Sequence, residues 1–358
     1  MGDYTEVSYV FHYFLVPRNY DYLSAKHPCR ECCFYHYICS LMKVIEQLEK
    51  SKDLLFSFEI LPPLKGSNID DLYSGIDPLM DFDPSFINVT YHREEFTYRK
   101  REKGFLEKIS IRKRPGTVGI CAAIKNKFGV TTVPHLTCGG FSKEETENAL
   151  IDLSFLGINN ILALRGDPVK TESTFVPDER GHSYAKGLVE QVVNMNQGVY
   201  LDEEVQNANH TDFCVGVAGY PEKHYEAMSM KSDLKHLKEK VDAGADYIVT
   251  QMFFDNQKYF EFVRACSEVG IECPIIPGIK PLTTLRHINF IPKTFAVSFP
   301  GDLSDQLEAC KTNDQVKKVG LDWAIKQSNE LKEAGVPCLH YYTMGKSDTV
   351  RTIVKQVY

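Results

Sequence analysis

Residues 142–167 read SKEETENALIDLSFLGINNILALRGD, a helix and the strand that follows it. Ser142 is an N-cap with Glu145 at the third helical position, a capping-box start for a helix over Glu144–Phe155. Gly157 sits where a left-handed C′ residue ends such a helix. Asn160–Leu164 is then continuously apolar, the pattern of a strand covered on both faces. The same grammar extends in both directions. Apolar β-prone runs occur at Leu54–Ile60, Phe86–Tyr91, Thr132–Thr137, Cys214–Ala218, Tyr247–Phe253, Pro274–Ile279 and Cys338–Tyr342. Helices are predicted at Asp233–Ala243 after Ser232, at Gln257–Val269 and at Asp314–Ala334, closed by Gly244, Gly270 and Gly335.

Alternation of this kind implies a parallel sheet with right-handed crossovers. Eight such units predict a single α/β fold, a parallel (β/α)8 barrel with its site at the C-terminal ends of the strands. Phe295–Phe299 is apolar enough for a strand, but the Pro300-Gly301 after it reads as a loop lining. Tyr200–Asp212, rich in Asn, Asp and Glu, reads as a solvated loop.

The chain has 358 residues, 43% hydrophobic and 25% charged, which is enough for a large core. A net charge of −7 argues against nucleic acid as a partner. No apolar run is long enough to span a bilayer. The eleven cysteines are scattered and no secretory signal opens the chain, so reduced thiols in the cytoplasm are expected. Residues 1–41 differ from the rest: they are crowded with aromatics and carry Cys29, Cys32, Cys33 and Cys39. Cys29-x-x-Cys32 has zinc-ligand spacing, but zinc modules pair two such knuckles and only one is present. The segment reads instead as an N-terminal extension, upstream of a true start near Met42, with 42–358 as the catalytic barrel.

Function in a parallel barrel collects at the carboxyl ends of the strands. Those positions hold Glu59, Thr90-Tyr91-His92, His135, Arg165-Gly166-Asp167, Tyr220-Pro221-Glu222-Lys223-His224 and Gln251. Each has a plain structural alternative. Glu59 could be neutralised by a basic neighbour, yet burial would raise its pKa, as a proton donor near neutrality requires. Arg165 and Asp167 could form a strand-end salt bridge, His135 could be a satisfied core histidine, and Gln251 could tie down backbone. Their recurrence at one end points to one pocket. No paired-histidine motif, GxGxxG or GxxxxGK[ST] is present, so no metal set, Rossmann site or P-loop is predicted. Asp233, His236 and Lys240 share a helix face, either a nucleotide contact or a solvated polar face.

Taken together, the blocks Ser57–Pro63, Val89-Thr90-Tyr91, Pro134–Cys138, Ala163–Asp167, Tyr220-Pro221-Glu222, Lys240–Ala245 and Thr250–Asp255 resemble methylenetetrahydrofolate reductase, in order from residue 54 to the end. The resemblance is to the short, bacterial-type catalytic form, without the added regulatory domain of eukaryotic members. It implies FAD and the co-substrate NAD(P)H in a ping-pong cycle that reduces 5,10-methylenetetrahydrofolate to 5-methyltetrahydrofolate, within one-carbon metabolism and methionine biosynthesis. Glu59 matches the family's acid and Asp167 the aspartate near flavin and folate. Gln251 matches a folate and nicotinamide contact, and His287 and Lys346 take two further substrate positions. The FAD set carries over to Thr90, Tyr91, His135, Arg165, Gly166, Asp167, Ala185, Tyr220, His224, Ala227, Asp233, His236 and Lys240. A homo-oligomer, without nucleic acid or membrane, is implied as well.

The chain departs from the family pattern at His236, Glu239, His287 and Lys346, where asparagine, arginine, glutamine and arginine are expected. These positions bear on affinity and donor preference, and lysine at 346 keeps charge but loses the bidentate fork. Two alternatives stay open: a flavin-free barrel lyase or aldolase, and a folate-binding protein without turnover. For the first, the one strand-end lysine is Lys280, which before Pro281 reads as a loop-lining residue.

Overall fold

The computed structural model describes residues 42–358 apart from 169–171, 173 and 346. The first 41 residues, and with them the Cys29-x-x-Cys32 spacing, lie outside that range. The chain begins with α1 (Val44–Lys50), β1 (Leu55–Ile60), α2 (Ile69–Met80) and β2 (Phe86–Val89). A hairpin of β3 (Glu95–Lys100) and β4 (Leu106–Ile111) precedes α3 (Thr117–Phe128) and β5 (Thr131–Thr137). Next come α4 (Lys143–Phe155), β6 (Asn160–Leu164), α5 (Ala185–Asn196) and β7 (Cys214–Gly219). They are followed by α6 (Met230–Asp242), β8 (Tyr247–Thr250), α7 (Asn256–Glu268), β9 (Ile275–Ile276) and β10 (Gly278–Ile279). The last elements are α8 (Leu285–Phe295), α9 (Gly301–Glu308), α10 (Asn313–Glu333), β11 (Cys338–Tyr342) and α11 (Ser347–Val357).

The main sheet runs β10-β11-β1-β2-β5-β6-β7-β8-β9, parallel throughout. β9 and β10 are two halves of one stave, broken at Pro277, which has no N–H to give the ladder. Its carbonyl still accepts from His340 N at 3.1 Å, which joins the ends of the series. The result is a closed barrel of eight staves, and each of the eight apolar runs supplies one: a (β/α)8 barrel.

Successive side chains on a strand face opposite ways, so each stave feeds two cores. Phe56, Phe58 and Ile60 join the outer core against the helices, with Ile87, Val89, Ile161 and Val215. The inner core holds Phe86, Val133, Leu162, Cys214, Tyr247, Val249, Ile276 and Cys338, closed below by Val44 and Leu48 of α1. That helix is a plug for the N-terminal end of the barrel. Val44 N donates to Asn160 Oδ1 at 2.8 Å and Gln47 Nε2 to Thr131 Oγ1 at 3.0 Å, both on first residues of staves. With one end stoppered, the other is left for ligands. No helix of the described residues is long and apolar enough to cross a membrane.

Local signals place most helix ends. Ser142 Oγ accepts from Glu145 N at 3.1 Å, and Glu145 Oε2 accepts from Ser142 N at 2.8 Å, completing the expected box. Gly157 follows at φ +65°. α6 starts one turn earlier than its sequence suggests. Its cap is Ser229, whose side chain accepts from Ser232 N at 3.1 Å. Pro300-Gly301 opens α9 instead of lining a loop, because Leu303 and Leu307 reach a buried cluster with Met252, Phe254 and Leu282. The β3–β4 hairpin had no clear sequence signal. Its strands are dense in charge, and cross-strand pairs such as Arg99 opposite Glu107 replace the apolar alternation that marks a strand.

Candidate active site

The alternation that buries Phe58 and Ile60 outward turns Ser57 and Glu59 inward. Glu59 lies at the open rim, with its side chain 13% exposed. Its Oε2 is 3.7 Å from Nε2 of His135, which reaches in from β5. Burial pushes the Glu59 carboxyl up to about 7, against a weaker opposite pull from the Lys280 ammonium. Burial, with the nearby His92, takes His135 down to about 3. The spacing would suit an ion pair, but both groups are uncharged over the intervening pH range. Burial outweighs their attraction because neither charge has solvent to replace what it loses.

The floor of this pocket is polar. Ser57 Oγ lies 2.9 Å from Nδ1 of His340, which burial takes down to about 3. His340 Nε2, His135 Nε2 and both amide atoms of Asn88 are buried without a hydrogen-bond partner among the described residues. The rim beside Glu59 is tied down by its neighbours. Thr343 Oγ1 donates to the Glu59 carbonyl at 2.7 Å, and Tyr342 OH donates to the Thr250 carbonyl at 2.6 Å. The second bond needs Gly278 between them, since a Cβ there would meet the Thr250 carbonyl and lie 2.7 Å from Tyr342 Oη. Lys280 Nζ donates to the Tyr342 carbonyl at 2.9 Å.

A second group forms where β6 and β7 end. Gly166 turns the chain at φ +90°, a conformation that favours glycine, with Thr137 3.3 Å from where a Cβ would stand. Arg165 pairs with Glu226 through one nitrogen and lies over the Phe175 ring at 4.9 Å. Its Nη2 is buried without a hydrogen-bond partner among the described residues. The Tyr220 ring packs edge-on to His224 at 4.7 Å, and His224 N donates to Asp233 Oδ2 at 2.8 Å. Burial, then the charges of Asp167 and Asp233, raises the Tyr220 phenol. Lys240 is pushed down to about 8 by burial and donates to the Ala218 carbonyl at 2.6 Å. Asp167 acts electrically on His92, Tyr220 and His224, so it lies between the two groups.

These residues converge on one barrel mouth, and the comparisons with known proteins give the assembly a family. Residues 44–358 match the family model described as methylenetetrahydrofolate reductase. The chain belongs to the methylenetetrahydrofolate reductase family. It is 32% identical over 316 residues to methylenetetrahydrofolate reductase (NADH) 1 of Arabidopsis thaliana, covering 85% of this chain and 48% of that protein. Against 5,10-methylenetetrahydrofolate reductase of Pectobacterium carotovorum subsp. carotovorum it is 32% identical over 295 residues, 82% of this chain and 86% of that one. A probable NADPH form from Caenorhabditis elegans is also 32% identical, over 87% of this chain and 43% of its own length. The chain thus spans about half the length of these plant and nematode relatives. A solved Clostridium thermocellum protein, which binds two copies of 5-methyl-5,6,7,8-tetrahydrofolic acid, shares the fold at TM-score 0.55. Identity there is 14%, over 87% of this chain and 98% of that one.

The positions inferred from the reductase resemblance are not all brought together. Glu59, His135, Arg165, Asp167, Tyr220, His224, Asp233 and Lys240 gather at the mouth as described. Thr90 Oγ1 lies 3.4 Å from His92 Nε2 on the same rim. Gln251 follows β8, its Oε1 accepting from Met252 N at 2.9 Å. His287 Nδ1 accepts from Thr283 N at 3.2 Å, and burial, with Lys280 and Arg286, takes the imidazole down to about 4. Ala227 N donates to the His224 carbonyl at 3.0 Å, and Ala185 is the first residue of α5. Two side chains turn elsewhere. Tyr91 packs on Phe141 at 4.7 Å and lines a separate cleft of about 330 Å³ with Arg112 and Leu136. His236 is largely exposed beside Glu239, so the shared helix face divides, with Asp233 and Lys240 engaged and His236 solvated. Lys346 lies outside the described residues. Lys280, His340, Tyr342 and Thr343 also belong to this rim, although no motif in the sequence marks the last three. A lysine ending one stave near a glutamate ending another was the available signal for Lys280.

Proposed function

We propose that this barrel reduces 5,10-methylenetetrahydrofolate to 5-methyltetrahydrofolate, with FAD as cofactor, NAD(P)H as electron source and Glu59 as the proton donor. The reading rests on one observation above the rest: a carboxyl raised to about 7 at the open end of a barrel of this family. A carboxylic acid still protonated near neutrality can deliver a proton to a folate ring nitrogen, opening the five-membered ring. The Clostridium relative in fold, a binder of the methylated folate, is consistent with this substrate class.

The donor set fits a flavin dinucleotide. Arg165 keeps a buried N–H unpartnered, Lys240 and His224 lie on the same side, and Asp233 supplies an acceptor suited to a ribose hydroxyl. Arg165 and Lys240 would hold the diphosphate, and Gly166 lets the backbone come close. When bound, the flavin would pass a hydride from the nicotinamide to the folate carbon, the two substrates taking turns. Asp167 would favour the cationic folate by its charge, and Gln251 and His287 would orient the substrate by hydrogen bonds. Without flavin absorbance in the purified protein, even after FAD is added, the reading fails. In stopped flow, Glu59→Gln should retain reduction of the flavin by NAD(P)H and lose folate reduction by about 10²–10⁴-fold.

A further inference from the structure

Glu59, Tyr342 and Lys280 stand abreast on three neighbouring staves. Glu59 pairs in register with Tyr342, and Ile279 pairs with Tyr341, which places Lys280 beside Tyr342. The lysine amine is tethered to the Tyr342 carbonyl at 2.9 Å. Among the described residues it forms no ion pair with a carboxylate within 4 Å, although it is mostly shielded from solvent. Its hydrogen bond is to a neutral carbonyl, and the charge that acts on it is Glu59, one stave further along the rim.

Giving up its proton to a substrate nitrogen would leave Glu59 as a carboxylate and the substrate as a cation, in a site that penalises charge. The groups facing the carboxyl can be taken in turn. His135 from β5 is neutral and, with His92 behind it, resists a proton. Tyr342 from β11 has committed its hydroxyl hydrogen to Thr250. His340, deeper on the same strand, is engaged with Ser57 and is also neutral. Lys280 from β10 remains. Its own further neighbour, His287 of α8, is neutral too.

We propose that Lys280 is a positioning residue for the acid, the counter-charge that receives the Glu59 carboxylate after the proton has gone to substrate. The ammonium is near enough to stabilise the anion and too far to trap it as a contact ion pair, so the partly exposed Glu59 carboxylate can take a proton back from solvent for the next cycle. The inference rests on Glu59 being the acid, and it concerns the charge coupling between the two side chains.

The test is a pair of titrations on the flavin-loaded protein. The protonated carboxyl band of Glu59, assigned by its loss in Glu59→Gln, is followed by infrared spectroscopy against pH. Lys280→Met should strengthen the proton affinity of Glu59 about tenfold, one pH unit, and Lys280→Arg should restore it. Coupling is reciprocal, so the Lys280 ammonium, followed by ¹⁵Nζ resonance, should lose proton affinity by a similar factor in Glu59→Gln. In folate reduction, Lys280→Met should lower the plateau rate and move the alkaline limb upward, a change that loss of a merely structural contact would not produce. An unmoved Glu59 band in Lys280→Met, or an unmoved Lys280 titration in Glu59→Gln, overturns the proposal. If Lys280→Met does not fold, the second titration decides. Full folate turnover by Glu59→Gln would instead remove Glu59 as the acid and leave the measured coupling standing.

Discussion

Glu59 Oε2 and His135 Nε2 face each other at 3.7 Å as an uncharged pair. The carboxyl is raised to about 7 and the imidazole lowered to about 3, so between those limits neither carries charge. A general acid works from its protonated form. Folate reduction should therefore be level below pH 7 and fall about tenfold per pH unit above it. Single-turnover rates from pH 5.5 to 9 check this, and a flat profile to pH 9 would exclude Glu59 as the donor.

The same burial makes the barrel sensitive to acid. His135 and His340 are each lowered from 6.5 to about 3, so the unfolded chain binds more protons than the folded one across that window. Stability from each is complete above pH 6.5 and is lost as pH falls, by about 1.4 kcal/mol per unit. Glu59 is raised from 4.5 to about 7 and works oppositely, favouring the fold as pH falls from 7 to 4.5. His340→Gln removes one such loss, leaving those of His135 and the other lowered imidazoles in place. Between pH 6.5 and 4.5 its urea-unfolding free energy should decline less steeply than that of the parent, by about 1.4 kcal/mol per unit. Equal slopes would mean that His340 is protonated in the folded state.

The barrel was legible because its staves are buried on both faces and read as unbroken apolar runs between capped helices. Glu59 was legible for the opposite reason, as a carboxylate breaking the run Phe58-Glu59-Ile60. His340 escaped notice because Cys338-Leu339-His340-Tyr341-Tyr342 reads as one more apolar stave, and only closure against Ser57 gives the imidazole a partner. Lys280 escaped because Pro281 suggested a loop, whereas the rim ties it to Tyr342, 62 positions on and one stave away from Glu59. Neither relation is local. Both are made by register across the closing seam between β10, β11 and β1.

Tyr247 shows a cost the inner core carries. Its ring is fully buried in the cluster closed by the plug, and its hydroxyl has no hydrogen-bond partner among the described residues. A buried unsatisfied polar group costs about 1–3 kcal/mol, and removing it without changing the ring relieves that cost. Tyr247→Phe should raise the urea midpoint with an unchanged slope. A lower midpoint would show that the hydroxyl is satisfied in solution.

Arg165 is the residue on which the flavin reading can be tested without turnover. One of its nitrogens is occupied by Glu226, Tyr225 also interacts with the guanidinium, and Nη2 is buried without a hydrogen-bond partner among the described residues. A guanidinium half engaged in this way is pre-oriented, because Glu226 fixes its plane and leaves the other edge for an oxygen ligand. Loss of one charge-assisted hydrogen bond, worth about 1.5–3 kcal/mol, corresponds to about a tenfold to hundredfold weaker complex. Arg165→Ala should therefore retain the fold and release FAD more readily, with the dissociation constant from flavin fluorescence rising by that factor. Glu226→Gln should weaken binding less, since the guanidinium loses its orientation and keeps its charge. Unchanged FAD affinity in folded Arg165→Ala would place the diphosphate away from the end of β6 and leave Lys240 and His224 to hold it.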